Sequence, residues 1–397
     1  MKKVVLAYSG GLDTTYCVKY LADKGYEVHA VLIDTGGFTQ EELDRVEKRA
    51  NSIGLASYKC INVTQDFYQK CIKYLIFGNI LKNNTYPLSV SAERIFQAVA
   101  IAKYAKELKA DAIAHGSTGA GNDQVRFDMA FHIIYPEAEI ITPIRDNKLS
   151  REEEIAFLQK HGIEGNWEKS LYSVNQGIWG TSVGGKETLT SDKFLPDSAF
   201  PSQVTEFEPS EVTLTFEKGE FVGLNGQKMA PVDAIHALNK LGSKYGIGRD
   251  IHVGDTIVGI KGRVGFEASA PLIIIKAHHT LEKHTLTKWQ LYWKEQLANW
   301  YGNLLHEGQF LDPVMRNIEA FLKDTQQFVT GDVKVRLNPN YFQVLGISSV
   351  HDLMNSNAAK YGETNTLWEG NDVRGFSKIA AVQNIIFNKV NGGILEN

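Results

Sequence analysis

Residues 4–25 read VVLAYSGGLDTTYCVKYLADKG. The apolar run Val4 to Ala7 has the composition of a buried strand. It meets Ser9, Gly10, Gly11 and Asp13, and apolar residues then recur at helical spacing as far as Gly25. Glycines let a backbone come close to an anion, and a helix N-terminus presents free N–H groups with about half a positive charge. Ser9, Thr14 and Thr15 add hydroxyl donors. A turn of this kind holds phosphate groups. It is neither GxxxxGK[ST] nor GxGxxG, since no lysine follows the glycines to reach a terminal phosphate. A loop that grips pyrophosphate as a leaving unit keeps the α-phosphorus open to attack, so adenylylation is expected rather than γ-phosphoryl transfer. Asp13 sits awkwardly against phosphates unless Mg²⁺ lies nearby, which gives it a metal-linked role without a resident metal centre. The plainer alternative is a tight βα turn whose glycines serve packing.

Outward from this stretch, short apolar runs alternate with amphipathic ones. Strands are expected at Val4–Ala7, Val28–Ile33, Tyr58–Val63, Ala112–His115 and Glu139–Thr142, and helices at 12–24, 39–53, 65–77, 91–108 and 150–161. Thr39 with Glu42 and Ser150 with Glu153 have capping-box spacing. Gly25, Gly54 and Gly162 stand just past three of the helices. Strand–helix alternation means an α/β fold: a doubly wound parallel sheet with its ligand crevice at the carboxyl ends of the strands.

Past Trp167 the pattern changes. Glycines cluster in NQGIWGTSVGGKE (175–187), and strand-like segments are read at 211–217, 251–260 and 272–277. Helical patterns cover 232–245, 286–305 and 312–326, and NPNY forms a hairpin turn. The expected organisation is a nucleotide-binding domain over 1–165, a second α+β domain over 166–365 and a C-terminal helix over 366–397. That helix carries Ile379, Val382, Ile386 and Val390 along one face, to pack on its own domain or on a partner subunit.

The 397 residues are 43% hydrophobic and 22% charged, with a net charge of −4. No global basic field invites nucleic acid, and no apolar run approaches the roughly 20 residues of a membrane helix. The strand at the N-terminus leaves no room for a secretion signal. Cys17, Cys60 and Cys71 show neither pairing nor CxxC spacing, as expected of a cytoplasmic protein.

A second stretch, HGSTGAGNDQVRF (115–127), ends a strand in a glycine-rich loop and opens a helix. Asn122, Asp123 and Arg126 lie within about one helical turn, so all can face one crevice. Asp123 can accept from an ammonium, Thr118 and Asn122 can hydrogen-bond a carboxylate, and Arg126 offers a fork to a carboxylate or ureido oxygen.

AYSGGLDT resembles the pyrophosphate motif of the ATP-pyrophosphatase family, and 115–127 resembles the argininosuccinate synthase signature almost residue for residue. The resemblance covers most of the chain. It implies a homotetramer, its C-terminal helix reaching neighbouring subunits, that turns ATP, citrulline and aspartate into argininosuccinate, AMP and pyrophosphate in arginine biosynthesis. Matched residue by residue, it implies ATP contacts at Ala7, Tyr8, Ser9, Gly10, Gly11, Leu12, Asp13, Thr14, Thr15, Ile33 and Gly116. Aspartate falls to Thr118, Asn122 and Asp123. Citrulline falls to Tyr86, Ser91 and Arg94 in NNTYPLSVSAERIFQ, to Asn122 and Arg126, and to Ser173 and Ser182 in YSVNQGIWGTS. Asp13, Asn122 and Arg126 are the expected catalytic set.

One segment departs. The family's other citrulline contacts are a glutamate and, twelve residues on, a tyrosine; DIHVGDTIVGIKGRVGFEA (250–268) has Gly254 and Phe266 there. Asp255 is adjacent, but one residue along a strand turns a side chain to the opposite face. An unpaired buried ammonium costs several kcal/mol. Three explanations remain at this level: the substrate is an N-acyl-citrulline, whose amide is uncharged; Asp255 or a bulge restores the contact; or the loop is misaligned.

Other features carry less. KAHHTLEKH (276–284) has no carboxylate or Cys at ligand spacing, and its histidine pair straddles two faces of a strand. Trp289, Trp293 and Trp300 fit a packed core or subunit interface better than a base-stacking platform. A tRNA-thiolating enzyme of the same wider family needs reactive cysteines and a basic surface, and a nucleotide sensor needs no Asn122, Asp123 and Arg126.

Overall fold

The computed structural model describes residues 1–119, 121–165, 167, 172–355, 361–362 and 366–392. Two compact units emerge, Met1–His351 and Asp352–Asn397.

The first unit begins with a five-stranded sheet of β1 (Lys2–Ala7), β2 (Tyr26–Asp34), β3 (Ser57–Asn62), β4 (Ala112–Ala114) and β5 (Glu139–Ile141), ordered β3-β2-β1-β4-β5. Every neighbouring pair is parallel. All five expected strands are present. Val4, Val5 and Leu6 are fully buried, as the central strand of a sheet covered on both faces requires. Helices α1 (Leu12–Asp23) and α2 (Gln40–Ser52) follow β1 and β2. Strand order reverses between β1 and β4, so the loops leaving their carboxyl ends splay apart and open a crevice.

Residues 65–77 form three short pieces, α3 (Thr64–Phe67), a π-helical turn (Tyr68–Ile72) and α4 (Lys73–Phe77), before the long α5 (Ser89–Leu108). After β4 come α6 (Asp123–Ile134), α7 (Pro143–Asn147) and α8 (Arg151–Lys160). Both expected capping boxes form, Thr39 accepting from the Glu42 amide and Ser150 from that of Glu153.

Strands β6 (Ser173–Asn175) and β7 (Thr181–Gly184) precede β8 (Ser210–Glu217), β9 (Glu220–Leu224) and β10 (Gln227–Lys228). Next come α9 (Pro231–Ser243), β11 (Arg249–Asp255), β12 (Lys261–Glu267), α10 (Ser269–Thr285), α11 (Lys288–His306), α12 (Pro313–Asp324), β13 (Gly331–Asn338) and β14 (Tyr341–Ser348). They build two further sheets, β10-β9-β8-β13-β14 and β11-β12-β7-β6, with antiparallel neighbours throughout.

Two expectations need correction, and a third narrows. Residues 272–277 are not a strand but the middle of α10, where Ile273, Ile274, Ile275, Ala277, His278 and Leu281 are all buried. A helix enclosed on several faces loses the 3.6-residue polarity signal, and three isoleucines in a row then imitate a strand. Residues 251–260 are not one strand, since β11 ends at Asp255 and turns into β12. Of the two readings of Trp289, Trp293 and Trp300, the packed core falls away and the subunit interface stays open, since they are 63%, 57% and 63% exposed. A single large core joins Phe216, Phe221, Leu238 and Ile273 of the later elements to Phe67, Tyr68, Leu75, Ile76, Leu88 and Phe96 of the first half.

In the second unit the expected terminal helix is two consecutive helices, α13 (Gly370–Ala380) and α14 (Val382–Asn391).

Candidate active site

A cavity of about 880 Å³ lies at the carboxyl ends of β1, β2 and β4. Its floor is the β1–α1 turn. Gly10 takes φ +75° there, and a Cβ on it would stand 3.2 Å from Val46. Helix α1 starts at Leu12 with no side-chain cap, so its first amides are left for a ligand. The Ser9 and Thr14 hydroxyls lie 3.3 Å apart at the mouth of the turn. Ala7, Tyr8, Ser9, Gly11, Leu12, Asp13, Thr14, Ile33 and Gly116 all line the cavity. Gly10 shapes the turn without lining it. Thr15 is not a wall residue either: fully buried, it donates its hydroxyl to the Gly11 carbonyl at 2.7 Å.

Positive charge arrives from elsewhere in the chain. Arg49 of α2 lines the cavity, donates to the Gly10 carbonyl at 2.5 Å and stacks over Trp167. Arg151, the first residue of α8, lines it too, and its buried Nε has no partner among the described residues. Neither is marked by any motif, because each reaches the turn from a different helix. Beside the turn, burial, followed by the charge of Asp13, pushes the Glu154 carboxyl up to about 8.

The opposite wall carries Arg94, Asp123, Val174 and Asn175. Asp123 opens α6 and is shared by two guanidinium groups, Arg94 Nε at 3.0 Å and Arg126 at 3.2 Å. Arg94 also donates to Asn175. Arg126 lies behind Asp123, only 3% exposed, donating to Ser91 Oγ at 3.0 Å and to the His306 carbonyl. The Asn122 side chain accepts from the Ile257 amide in the β11–β12 turn, so it ties α6 to that hairpin. Ser182 pairs across β7 and β12 with Phe266, whose ring packs on Tyr86 at 5.5 Å. The fold therefore gathers Tyr86, Ser91, Arg94, Asn122, Asp123, Arg126 and Ser182 around one region. Thr118 and Ser173 are exposed and outside the cavity wall.

Gly254 lies in regular register opposite Gly262, with no bulge in the hairpin. The Asp255 carboxylate pairs with Lys261 at 2.6 Å on the exposed face. Asp255 thus does not restore the contact that Gly254 lacks, because strand geometry turns it away. The 278–279 histidine pair sits on α10, not a strand. Among the described residues no group of three or more His, Cys, Asp or Glu is placed to hold a metal ion.

A parallel sheet with a glycine turn and an uncapped helix N-terminus at its switch point, facing a carboxylate–arginine network, has the layout of a nucleotide site. Family models agree in detail: the argininosuccinate synthase N-terminal HUP domain matches residues 3–164, and the C-terminal domain of the same family matches 172–387. Argininosuccinate synthase of Methanocaldococcus jannaschii is 36% identical over 90% of this chain and 91% of its own length. That of Xanthomonas campestris is 35% identical over 98% and 99%, and that of Dictyoglomus thermophilum 36% over 97% of each. The chain belongs to the argininosuccinate synthase family, ATP-dependent ligases of arginine biosynthesis.

Proposed function

We propose that this chain joins a citrulline-type ureido compound to aspartate through an adenylylated intermediate. What supports the reading is one cavity with an anion-binding turn at one end and the Arg94–Asp123–Arg126 network at the other. The ureido oxygen attacks the α-phosphorus, the bond to the bridging oxygen breaks, and pyrophosphate leaves into the Ser9–Thr14 turn. Aspartate's amine then attacks the ureido carbon, the carbon–oxygen bond breaks, and AMP departs carrying the ureido oxygen while the amine's surplus proton passes to water. A ureido oxygen is a weak nucleophile, so the acceleration comes from alignment and fixed charge. Arg49, Arg151 and the α1 amides receive the departing charge. Arg126, Ser91 and Asn122 orient the ureido compound, and Asp123 positions the incoming amine.

Mg²⁺ fits the residues present, because Asp13 lines the cavity at the phosphate turn and its charge helps to raise the Glu154 carboxyl, a repulsion a divalent ion would relieve. Asp13 would hold it together with the nucleotide's phosphates, where it supplies neutralisation of the pyrophosphate charge. The test is ¹⁸O in the ureido position: label must appear in AMP and be absent from pyrophosphate. Formation of ADP and orthophosphate instead would sink the reading.

A narrower reading concerns the substrate's α-nitrogen. From β11, Gly254 offers no side chain, Asp255 turns outward and Asp250 is exposed at the strand's start with Oδ1 taken by the Ile251 amide, and Phe266 offers no hydroxyl. An uncharged, acylated nitrogen suits these surroundings better than an ammonium. Relative kcat/KM for citrulline and N-acetylcitrulline tests this, and a preference for the free amino acid contradicts it. We also propose a homotetramer, supported by the exposed aromatic face of α11 and the exposed apolar residues of α13 and α14.

A further inference from the structure

The surroundings of Gly254 show what has taken the place of a carboxylate. His252 lies two residues earlier on β11 and so on the same face. Its Nε2 stands 2.5 Å from the point where a Cβ on Gly254 would lie, so this histidine and a side chain at 254 exclude each other. The imidazole is stacked on Tyr86 with centroids 5.2 Å apart, is 6% exposed, and has no hydrogen-bond partner for Nδ1 among the described residues. A buried polar atom without a partner calls for one.

Basic groups surround it. Lys82 begins the short loop that returns to Tyr86, and its ammonium is bonded to a neutral acceptor, Asn303 Oδ1, at 2.6 Å. Among the described residues no carboxylate pairs with it. Arg126 reaches within 3.4 Å of His306 Nδ1. Burial, and then the like charge of Lys82, lowers the His252 pKa; burial, then Arg126, lowers that of His306 to about 4. Asp123 is held between its two arginines and Asp255 on Lys261; Asp250 and Glu295 line the same cavity as Lys82, but Asp250 accepts from the Ile251 amide and Glu295 pairs with His279. An ammonium entering this region meets like charge, whereas an anion meets an unpaired ammonium and an unpartnered imidazole.

We propose that the acyl group on the substrate's α-nitrogen is the half-amide of a dicarboxylic acid, and that Lys82 and His252 receive its free carboxylate. The proposal rests on the N-acyl reading above and deepens it from an uncharged nitrogen to an anionic extension. Neutral acyl groups would satisfy the missing glutamate equally well but would leave Lys82 and His252 as they are.

The experiment uses the full chain with ATP, Mg²⁺ and aspartate, and compares initial rates of pyrophosphate release for citrulline, N-acetylcitrulline and N-succinylcitrulline. A hydrogen-bonded charge pair should raise kcat/KM for the succinyl compound about tenfold or more over the acetyl one. Lys82→Met should bring that ratio towards one, mainly through KM, and Lys82→Arg should keep much of it. Equal or better use of the acetyl compound overturns this proposal while leaving the N-acyl reading intact; preference for free citrulline overturns both. A ratio unchanged in both Lys82→Met and His252→Gln shows that the assigned residues are wrong. The first comparison needs no variant, so a misfolded mutant cannot obscure it.

Discussion

At Gly10 the shape of the nucleotide turn depends on one positive φ, +75°, with Val46 closing the space behind it. An alanine there meets both obstacles, and left-handed backbone alone costs an L-residue about 1–2 kcal/mol. Gly10→Ala should lower stability by at least that amount in urea titrations and reduce pyrophosphate release at least tenfold. Asp123 makes a different demand. Asp123→Ala frees Arg94 and Arg126 together, and it should damage argininosuccinate formation far more than isotope exchange between pyrophosphate and ATP; equal loss of both would deny it a part in positioning aspartate. The turn was legible in the sequence because glycine, serine and threonine side chains act on the backbone within five residues. Arg49 and Arg151 were not, since a charge brought by a distant helix leaves no local spacing. The local bond that Thr15 makes, its hydroxyl donating to the Gly11 carbonyl, likewise shows only once the turn has folded.

The helices of the large core raise the question of buried charge. Glu282 of α10 and Lys294 of α11 meet at 2.9 Å with both side chains fully enclosed. Lys294 also donates to the Phe77 carbonyl, and Gln326 donates to Glu282. Breaking such a pair leaves one charge uncompensated, at about 3–5 kcal/mol, whereas replacing both partners with apolar groups is often neutral. Lys294→Met should therefore be strongly destabilising, and the double change Glu282→Leu with Lys294→Met should recover much of the loss. Acid works on the same elements. Burial keeps His306 and His279 neutral, lowering each from 6.5 to about 4, and Lys294 holds Glu282 below its ordinary value. In each of these cases the unfolded chain binds the proton first, so what these groups contribute to stability is greatest above pH 6.5 and falls towards pH 4, while the raised carboxyl of Glu154 works in the opposite sense. Urea midpoints across that window should drop, with His279→Gln flattening part of the slope. The sequence misread α10 because β-branched residues enclosed on every side have no polar face to mark a helix, while α11 and α12, each with a wet side, were read correctly.

For the whole molecule, light scattering should report a mass about four times the 44.3 kDa of one chain. Ile379→Glu with Ile386→Glu, both at exposed positions, should lower it; a monomer for the unaltered chain would refute the tetramer. The parallel sheet and its crevice followed from strand–helix alternation, but the shared core did not, because nothing in the composition of 67–96 says which sheet it will join. Yet Phe67, Tyr68, Ile76, Leu88 and Phe96 are packed with Phe216, Phe221 and Ile273 in one cluster. A gene cut near codon 165 would hence give two products, one bearing a large greasy wound and the other missing the plug that fills it. Neither fragment should be recovered alone in native form, and complementation would require both to be made together. The boundary between the two family segments is thus a seam in the text of the chain rather than a joint in its anatomy.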